Sequence, residues 1–144
     1  MATRAGNPKQ WGQAHDLGTD HSYTATPFIG TAGENLVFGD FCYLKSDGKH
    51  WKADGGAAAT MPCSAMAVDT IAADASGLLV PVSYGLARDD SWNWTPGDNL
   101  YVQDTTAGAL QNSAPGSGKF AQIVGRAKTA DVIEFSPYVV VTQP

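Results

Sequence analysis

The feature that most constrains this chain is an internal duplication with an offset of 58 residues, from Gly39 to Gly97. A Gly-Asp pair opens residues 39–44 (GDFCYL), and a second Gly-Asp pair opens residues 97–102 (GDNLYV). Each segment runs through residues common in strands and then reaches a second polar turn. The duplication therefore predicts two related halves, each built from turns and short strands.

Later parts of the two halves also correspond. The predicted matches are residues 51–53 with 109–111, 65–68 with 124–127, and the apolar segments 78–82 with 132–135. No catalytic residue set is repeated in these pieces, which favours a scaffold or a binding surface over an enzyme.

The alternation of apolar residues predicts strands along most of the chain. From Leu78 to Leu86, every second residue is large and apolar, which is typical of one long strand with a single buried face. Pro81 lacks an N–H donor and so places that strand at a sheet edge or at a bulge. Helix signals are confined to single turns, because Gly and Pro bracket residues 57–61. The sequence predicts an all-β fold, a small β-barrel or sandwich built from two related halves.

Composition restricts the partners of such a domain. The net charge is −5 and the nine Lys and Arg residues are scattered, whereas a nucleic-acid binder needs a basic face, so we expect no nucleic-acid partner. No apolar stretch has the length of a membrane span, and the N-terminus lacks the apolar region of a secretory signal, so we expect no membrane contact. Cys42 and Cys63 are expected to be free thiols, although a Cys42–Cys63 disulfide stays open.

The two ends of the chain differ from the domain between them, residues 34–137. Residues 1–33 show no regular periodicity, yet Trp11, Tyr23 and Phe28 are too apolar for an inert tail. We therefore predict an extended N-terminal arm that orders against a neighbouring subunit, while a flexible terminus is the alternative.

The C-terminal strand or tail, residues 138–144, begins with a run, residues 138–142, that is β-branched and apolar on both faces. Such a strand needs a cover on both sides, because an exposed edge of this kind would aggregate. We predict that Tyr138, Val139 and Val141 contact a partner.

The segment that joins the two copies contains Trp92 and Trp94, which lie on the same side if the chain is extended. Aromatic platforms next to Asp and Asn bind sugars in many proteins. The competing interpretation is that both indoles pack against the end of the domain or at a subunit interface, where Trp is enriched. The second interpretation is preferred, since the pair lies in a connection.

Titratable residues offer few candidates for chemistry. His15 and His21 lie near Asp16 and Asp20, but their spacing fits no ordinary zinc pattern, so we predict no metal site. His50, just after a turn, is expected at the surface.

Catalytic motifs are also missing from the pattern. Ser117 lies in a Gly/Ser-rich loop without the strand and helix that make a nucleophile elbow work. Asp89 and Asp90 are adjacent and would point to opposite faces of a strand. We predict no catalytic residue and no cofactor.

The duplicated segment resembles the small β-barrel decoration (cement) proteins of tailed-bacteriophage capsids and related phage head-fibre domains. The resemblance covers roughly residues 34–137, and the matching parts are residues 39–44, 47–53, 66–67, 85–92, 97–102, 124–127 and 131–133. Each part alone is a weak turn-and-strand motif, and their order together with the repeat makes the match moderately specific.

The resemblance implies a non-enzymatic virion protein that assembles in the host cytoplasm and stabilises the capsid exterior by bridging capsomers. The implied partners are the major capsid protein and further copies of this chain, as a homotrimer. The predicted contact residues are Trp11, Tyr23, Phe28, Trp92, Trp94, Tyr138, Val139 and Val141. The alternatives are a glycan- or receptor-binding fibre domain and a subunit of a tail-like tubular assembly.

Overall fold

The computed structural model describes residues 17–136 and 140–144, and within them the chain is all-β. Two five-stranded antiparallel sheets and one two-stranded sheet are present in this part of the chain. The strands are β1 (Phe28–Thr31), β2 (Phe41–Leu44), β3 (His50–Lys52), β4 (Ala65–Ala67), β5 (Ser76–Pro81), β6 (Leu86–Arg88), β7 (Asn99–Val102), β8 (Leu110–Gln111), β9 (Phe120–Ala121), β10 (Ile123–Ala127), β11 (Val132–Phe135) and β12 (Val141–Thr142). A single 3₁₀ turn spans Ala58–Thr60. The all-β prediction is confirmed, and of its two forms the sandwich is the one observed, because no closed barrel forms among the described residues.

The two large sheets have the same strand order. The first sheet runs β1-β5-β4-β2-β3, and the second runs β6-β11-β10-β7-β8. In each, a hairpin (β2–β3 or β7–β8) lies at one side, and the earliest strand of that half lies at the opposite edge. The sequence repeat is therefore a repeat of topology.

The two Gly-Asp turns have the same internal geometry. In residues 37–40 and 95–98 the Asp amide donates to the carbonyl three residues earlier, at 3.1 and 3.0 Å. The Asp carboxylate in turn accepts from the amide of that same residue, at 2.9 and 3.0 Å. Gly39 and Gly97 share a φ of +93°, a value that favours glycine. Glycine with positive φ at the third turn position matches a type II turn.

The repeat changes its offset after the first hairpin. The loop of the second hairpin spans residues 103–109, whereas the first spans 45–49, each closed by an amide-to-carbonyl bond of 3.0 Å between its end residues. This longer loop makes Trp51 correspond to Gln111 in the strand pairing. The sequence had matched Trp51 with Ala109, which was wrong. Its match of residues 65–68 with 124–127 was wrong by one residue, because Ala65 corresponds to Gly125 in the strand pairing.

The predicted long strand from Leu78 to Leu86 is two strands in different sheets. A turn that includes Gly85, at a φ of +104°, separates β5 from β6. β5 lies between β1 and β4, so the prediction of an edge strand was wrong. Pro81 is instead the last residue of β5, opposite Ala65, where the strand ends.

The main core lies between the two large sheets. Its largest members come from both: Phe41, Tyr43, Met66 and Val80 from the first sheet, and Leu100, Val102, Val124, Ile133 and Phe135 from the second. A smaller cluster covers the other face of the first sheet, made of Ala32, Leu36, Cys42, Ala65, Ala67, Ile71 and Leu79. The first sheet is thus buried on both faces.

Part of the predicted N-terminal arm lies within the fold. β1 belongs to the first sheet, and residues 21–24 pair with the outer edge of β6. His21 donates to the Arg88 carbonyl at 3.0 Å, and the Arg88 amide donates to the Ser22 carbonyl at 2.9 Å. These bonds extend the second sheet by a short antiparallel segment.

The C-terminal residues also pair within the chain. β12 is antiparallel to β9, with Val141 opposite Ala121. Val141 and Thr142 are both exposed and point to opposite faces, so the pairing leaves both faces of this strand open.

Candidate functional site

Two clefts open on either side of the connection between the halves. Phe38, Asp89 and Ser91 line both clefts. We call the first the Asp89 cleft, about 590 Å³, which is lined by Asp20, His21, Val37, Phe38, Val68, Asp69, Thr70, Asp89 and Ser91. The second is the tryptophan cleft, about 400 Å³, whose lining includes Asp40, Lys52, Trp92, Trp94 and Thr106.

Backbone hydrogen bonds hold the connection against the second sheet. The Asp89 amide donates to the Asp131 carbonyl at 2.9 Å, and the Trp94 amide donates to the Ala130 carbonyl at 2.9 Å. A turn between these points is closed by the Trp92 amide, which donates to the Asp89 carbonyl at 3.0 Å. Asp89 and Ser91, which line both clefts, therefore lie on a hydrogen-bonded stretch of backbone.

The two tryptophans are half-buried and pack against the main core. The indole N–H of Trp94 is buried and donates to no described residue. A buried indole N–H normally has a partner, and this one is closed off from solvent, so it offers no contact to a ligand in the cleft. Packing against the core accounts for the partial burial of both indole rings without a ligand.

The Asp89 cleft brings together three metal-ligating side chains. His21 Nε2 lies 3.5 Å from Asp20 Oδ2 and 3.9 Å from Asp89 Oδ2. Ligand atoms of all three residues lie within 4.8 Å of one another. Asp89 is only 7% exposed, whereas Asp20 and His21 are at the surface.

Each carboxylate has one oxygen held by hydrogen bonds and one that faces His21. Asp89 Oδ1 accepts from the Ser91 amide at 2.9 Å and from the Ser91 hydroxyl at 2.6 Å. Asp20 Oδ1 accepts from the Asp90 amide at 2.8 Å. The His21 ring stacks on Phe38 with centroids 4.3 Å apart. The orientation of all three groups is thus set by the fold.

The Asp89 cleft is electronegative. Asp20, Asp69 and Asp89 line it, and no Lys or Arg is among its described lining residues. The nearby Arg88 guanidinium is engaged elsewhere, at 2.7 Å from Asp90 and 3.5 Å from Asp131. Clustered carboxylates of this kind raise the local concentration of cations.

The other predicted contact residues are dispersed. Tyr23 forms a bridge with Ala87 and packs against the main core, and Phe28 in β1 is 37% exposed. Val141 lies on β12, and Trp11, Tyr138 and Val139 lie outside the described residues. The described members of this set do not form one continuous site.

His50 is buried rather than at the surface, so that expectation was wrong. Its ring lies 5.6 Å from the Phe28 ring, in the space left free by the missing side chain of Gly30. Burial lowers the pKa of His50 below its ordinary value. Sequence could not show this, because it does not reveal that residue 30 lies against residue 50.

Two further residues escaped prediction from the sequence. Gln122 is buried and binds the backbone of Cys63 through both ends of its amide, at 2.7 and 2.8 Å. Asp89 was read only as a neighbour of Asp90, whereas its partners His21 and Asp20 are about 70 positions earlier. Residues so far apart in the sequence share no local pattern that would predict their contact.

No protein family model, no curated protein and no solved structure matches this chain. Among the described residues, no helix has the length and apolarity to cross a membrane.

Proposed function

We propose that this protein is a non-enzymatic structural protein of a bacteriophage virion, which decorates the capsid exterior and bridges capsomers. The observation that carries the proposal is that both copies of the repeat fold into the same sheet topology, with each Gly-Asp pair used as a turn. The repeated residues therefore serve the scaffold. The resemblance of the repeat to capsid decoration proteins supplies the biological setting.

Exposed apolar residues support a role in assembly. Ile29, Val37, Leu44 and Tyr84 are each more than half exposed, on different loops and strands. Scattered contacts of this kind are individually weak, but a lattice multiplies them, since avidity rises when many copies bind together. A protein that bridges capsomers needs several modest contacts more than one deep site.

The proposed partners are the major capsid protein and other copies of this chain, as a homotrimer. Contacts would come from the terminal segments, including Trp11, Tyr138 and Val139, and from Phe28 and Val141. The net charge of −5 supports an outer position, because the packaged nucleic acid repels an acidic protein.

A truncation tests this assignment. Because β1 and residues 21–24 belong to the sheets, the informative deletion removes only residues 1–16. We expect this variant to melt at the temperature of the full chain and to lose binding to expanded capsids in a sedimentation assay. If the truncated protein still occupies all its binding sites on the capsid, the arm is not a contact element. If the full chain binds no capsid, the decoration role is refuted.

A second candidate is a glycan- or receptor-binding fibre domain, which the tryptophan cleft favours. Trp92 and Trp94 line it, and Asp40, Lys52 and Thr106 offer polar groups beside them. A glycan array with the full chain tests it, with Trp92→Ala as the loss variant. Trp51→Ala is the matched control, because Trp51 lies under Lys45 away from this cleft.

The third candidate, a subunit of a tail-like tube, differs in its assembly. Open head-to-tail contacts give filaments, whereas closed contacts give discrete rings such as trimers. Negative-stain images of the purified protein, alone and mixed with capsids, separate a filament from a compact trimer and from a decorated shell.

A further inference from the structure

The Asp89 cleft contains ligands of the kind that transition metals prefer. An imidazole nitrogen with carboxylate oxygens suits zinc and its neighbours, while calcium and magnesium prefer oxygen alone. A tetrahedral zinc ion with bonds of about 2.1 Å places its ligand atoms about 3.4 Å apart. The 3.5 and 3.9 Å separations of His21 Nε2 from the two carboxylate oxygens are close to that value.

The Asp89 carboxylate has one oxygen free to bind a cation. Its Oδ1 atom accepts from Ser91, and its Oδ2 atom accepts no hydrogen bond from a described residue. The residue is 7% exposed, and Oδ2 is the part that keeps contact with solvent. Oδ2 faces His21, so a cation that enters the cleft reaches both groups.

The surroundings preorganise the site. Ser91 orients the Asp89 carboxylate, the Asp90 amide orients that of Asp20, and Phe38 supports the His21 ring. Hydrogen bonds of this kind to ligating carboxylates are a usual second layer around protein metal sites. Solvent water in the cleft would complete the coordination.

We propose that Asp20, His21 and Asp89 bind one divalent transition-metal ion, with zinc as the best fit. The ion would join the N-terminal segment at residues 20–21 to the connection between the two halves at Asp89. The metal would therefore hold residues 20–21 against this connection. This inference does not depend on the capsid role, because it rests on the cleft alone.

Zinc titration of the full chain tests the proposal. The protein is treated with a chelator, desalted and titrated with zinc chloride by calorimetry, and cobalt(II) is used as a visible-absorption probe of the same site. We expect one ion per chain, a cobalt spectrum typical of mixed nitrogen and oxygen ligands, and a higher melting temperature with zinc.

Two variants assign the ligands. His21→Gln changes an exposed side chain at a φ of +63°, so its melting temperature without zinc is compared with that of the wild type. Asp89→Asn keeps the shape of the buried side chain. Each should weaken zinc binding at least about tenfold, since each removes a direct ligand. Asp90→Asn is the control, because its backbone amide, which holds Asp20, is retained.

The outcomes are decisive in both directions. Zinc binding that is lost in His21→Gln and Asp89→Asn but kept in Asp90→Asn supports the site. Absence of stoichiometric binding, or equal binding by all variants, overturns it.

Discussion

Gly39 and Gly97 occupy equivalent positions in the two halves, with the same φ of +93°. The amide of Gly39 donates to the Ala67 carbonyl at 3.0 Å, and that of Gly97 donates to the Ala127 carbonyl at 2.8 Å. The duplication is therefore preserved at the level of single hydrogen bonds. These turns attach the start of each hairpin to the neighbouring strand of its own sheet.

Substitution of Gly97 by alanine should destabilise the fold through the backbone alone. No atom lies within 4 Å of the position that a Cβ would take, so crowding plays no part. The positive φ should cost about 1–2 kcal/mol of unfolding free energy. Urea denaturation followed by Trp fluorescence measures this loss.

Gly116→Ala is the matched control for that experiment. Its Cβ position is equally open and its φ is not positive, so the change in stability should stay within about 0.5 kcal/mol. Equal stabilities of the two variants would contradict the assigned turn conformation.

Gln122 should be one of the most sensitive polar residues. Its side chain is 4% exposed and satisfies both the amide and the carbonyl of Cys63. Gln122→Ala leaves two buried backbone groups without partners, which should cost about 2–4 kcal/mol. Thermal and urea unfolding measure the loss.

Gln111→Ala serves as the comparison, because Gln111 makes one exposed bond to the nearby Ser113 carbonyl. That change should cost less than about 1 kcal/mol. If both variants lost the same unfolding free energy, the buried hydrogen bonds between Gln122 and Cys63 would contribute no more than one exposed bond.

The sequence predicted the parts of the fold that local chemistry determines. The Gly-Asp pairs indicated turns and the alternating apolar residues indicated strands, so the all-β class and the two halves followed. The offset in the second half did not follow, because the loop at residues 103–109 is longer than its counterpart at 45–49, and loop length leaves no periodic signal.

The candidate site was much less accessible from the sequence. Trp92 and Trp94 were found by their spacing, but their packing against the core depends on strands from both halves. The Asp89 cleft depends on residues 21–24 pairing along β6, which no local pattern of Asp20 or His21 reveals.

His50 should make the fold sensitive to mild acid. Its pKa is 6.5 in an unfolded chain and lower in the folded protein because of burial. Between these two values the unfolded chain binds more protons, so stability present above pH 6.5 is lost as the pH falls through the folded pKa. His50→Leu removes the titrating imidazole and with it this dependence of stability on pH.

Urea denaturation at about pH 7.5 and about pH 5 detects the difference. The wild type should lose more stability between the two conditions than His50→Leu does. Equal losses would show that His50 is not buried in its neutral form.

The two cysteines should be unreactive in the folded protein. Both are free and buried, and burial raises the pKa of Cys63 to about 12 and raises that of Cys42 as well. Since the thiolate is the reactive form, a disulfide reagent at about pH 8 should label native protein only as fast as it opens. In denaturant, both thiols should react at once, and Cys63→Ala should leave one. Rapid labelling of the native protein would contradict the burial, and fewer than two thiols in denaturant would indicate a Cys42–Cys63 disulfide.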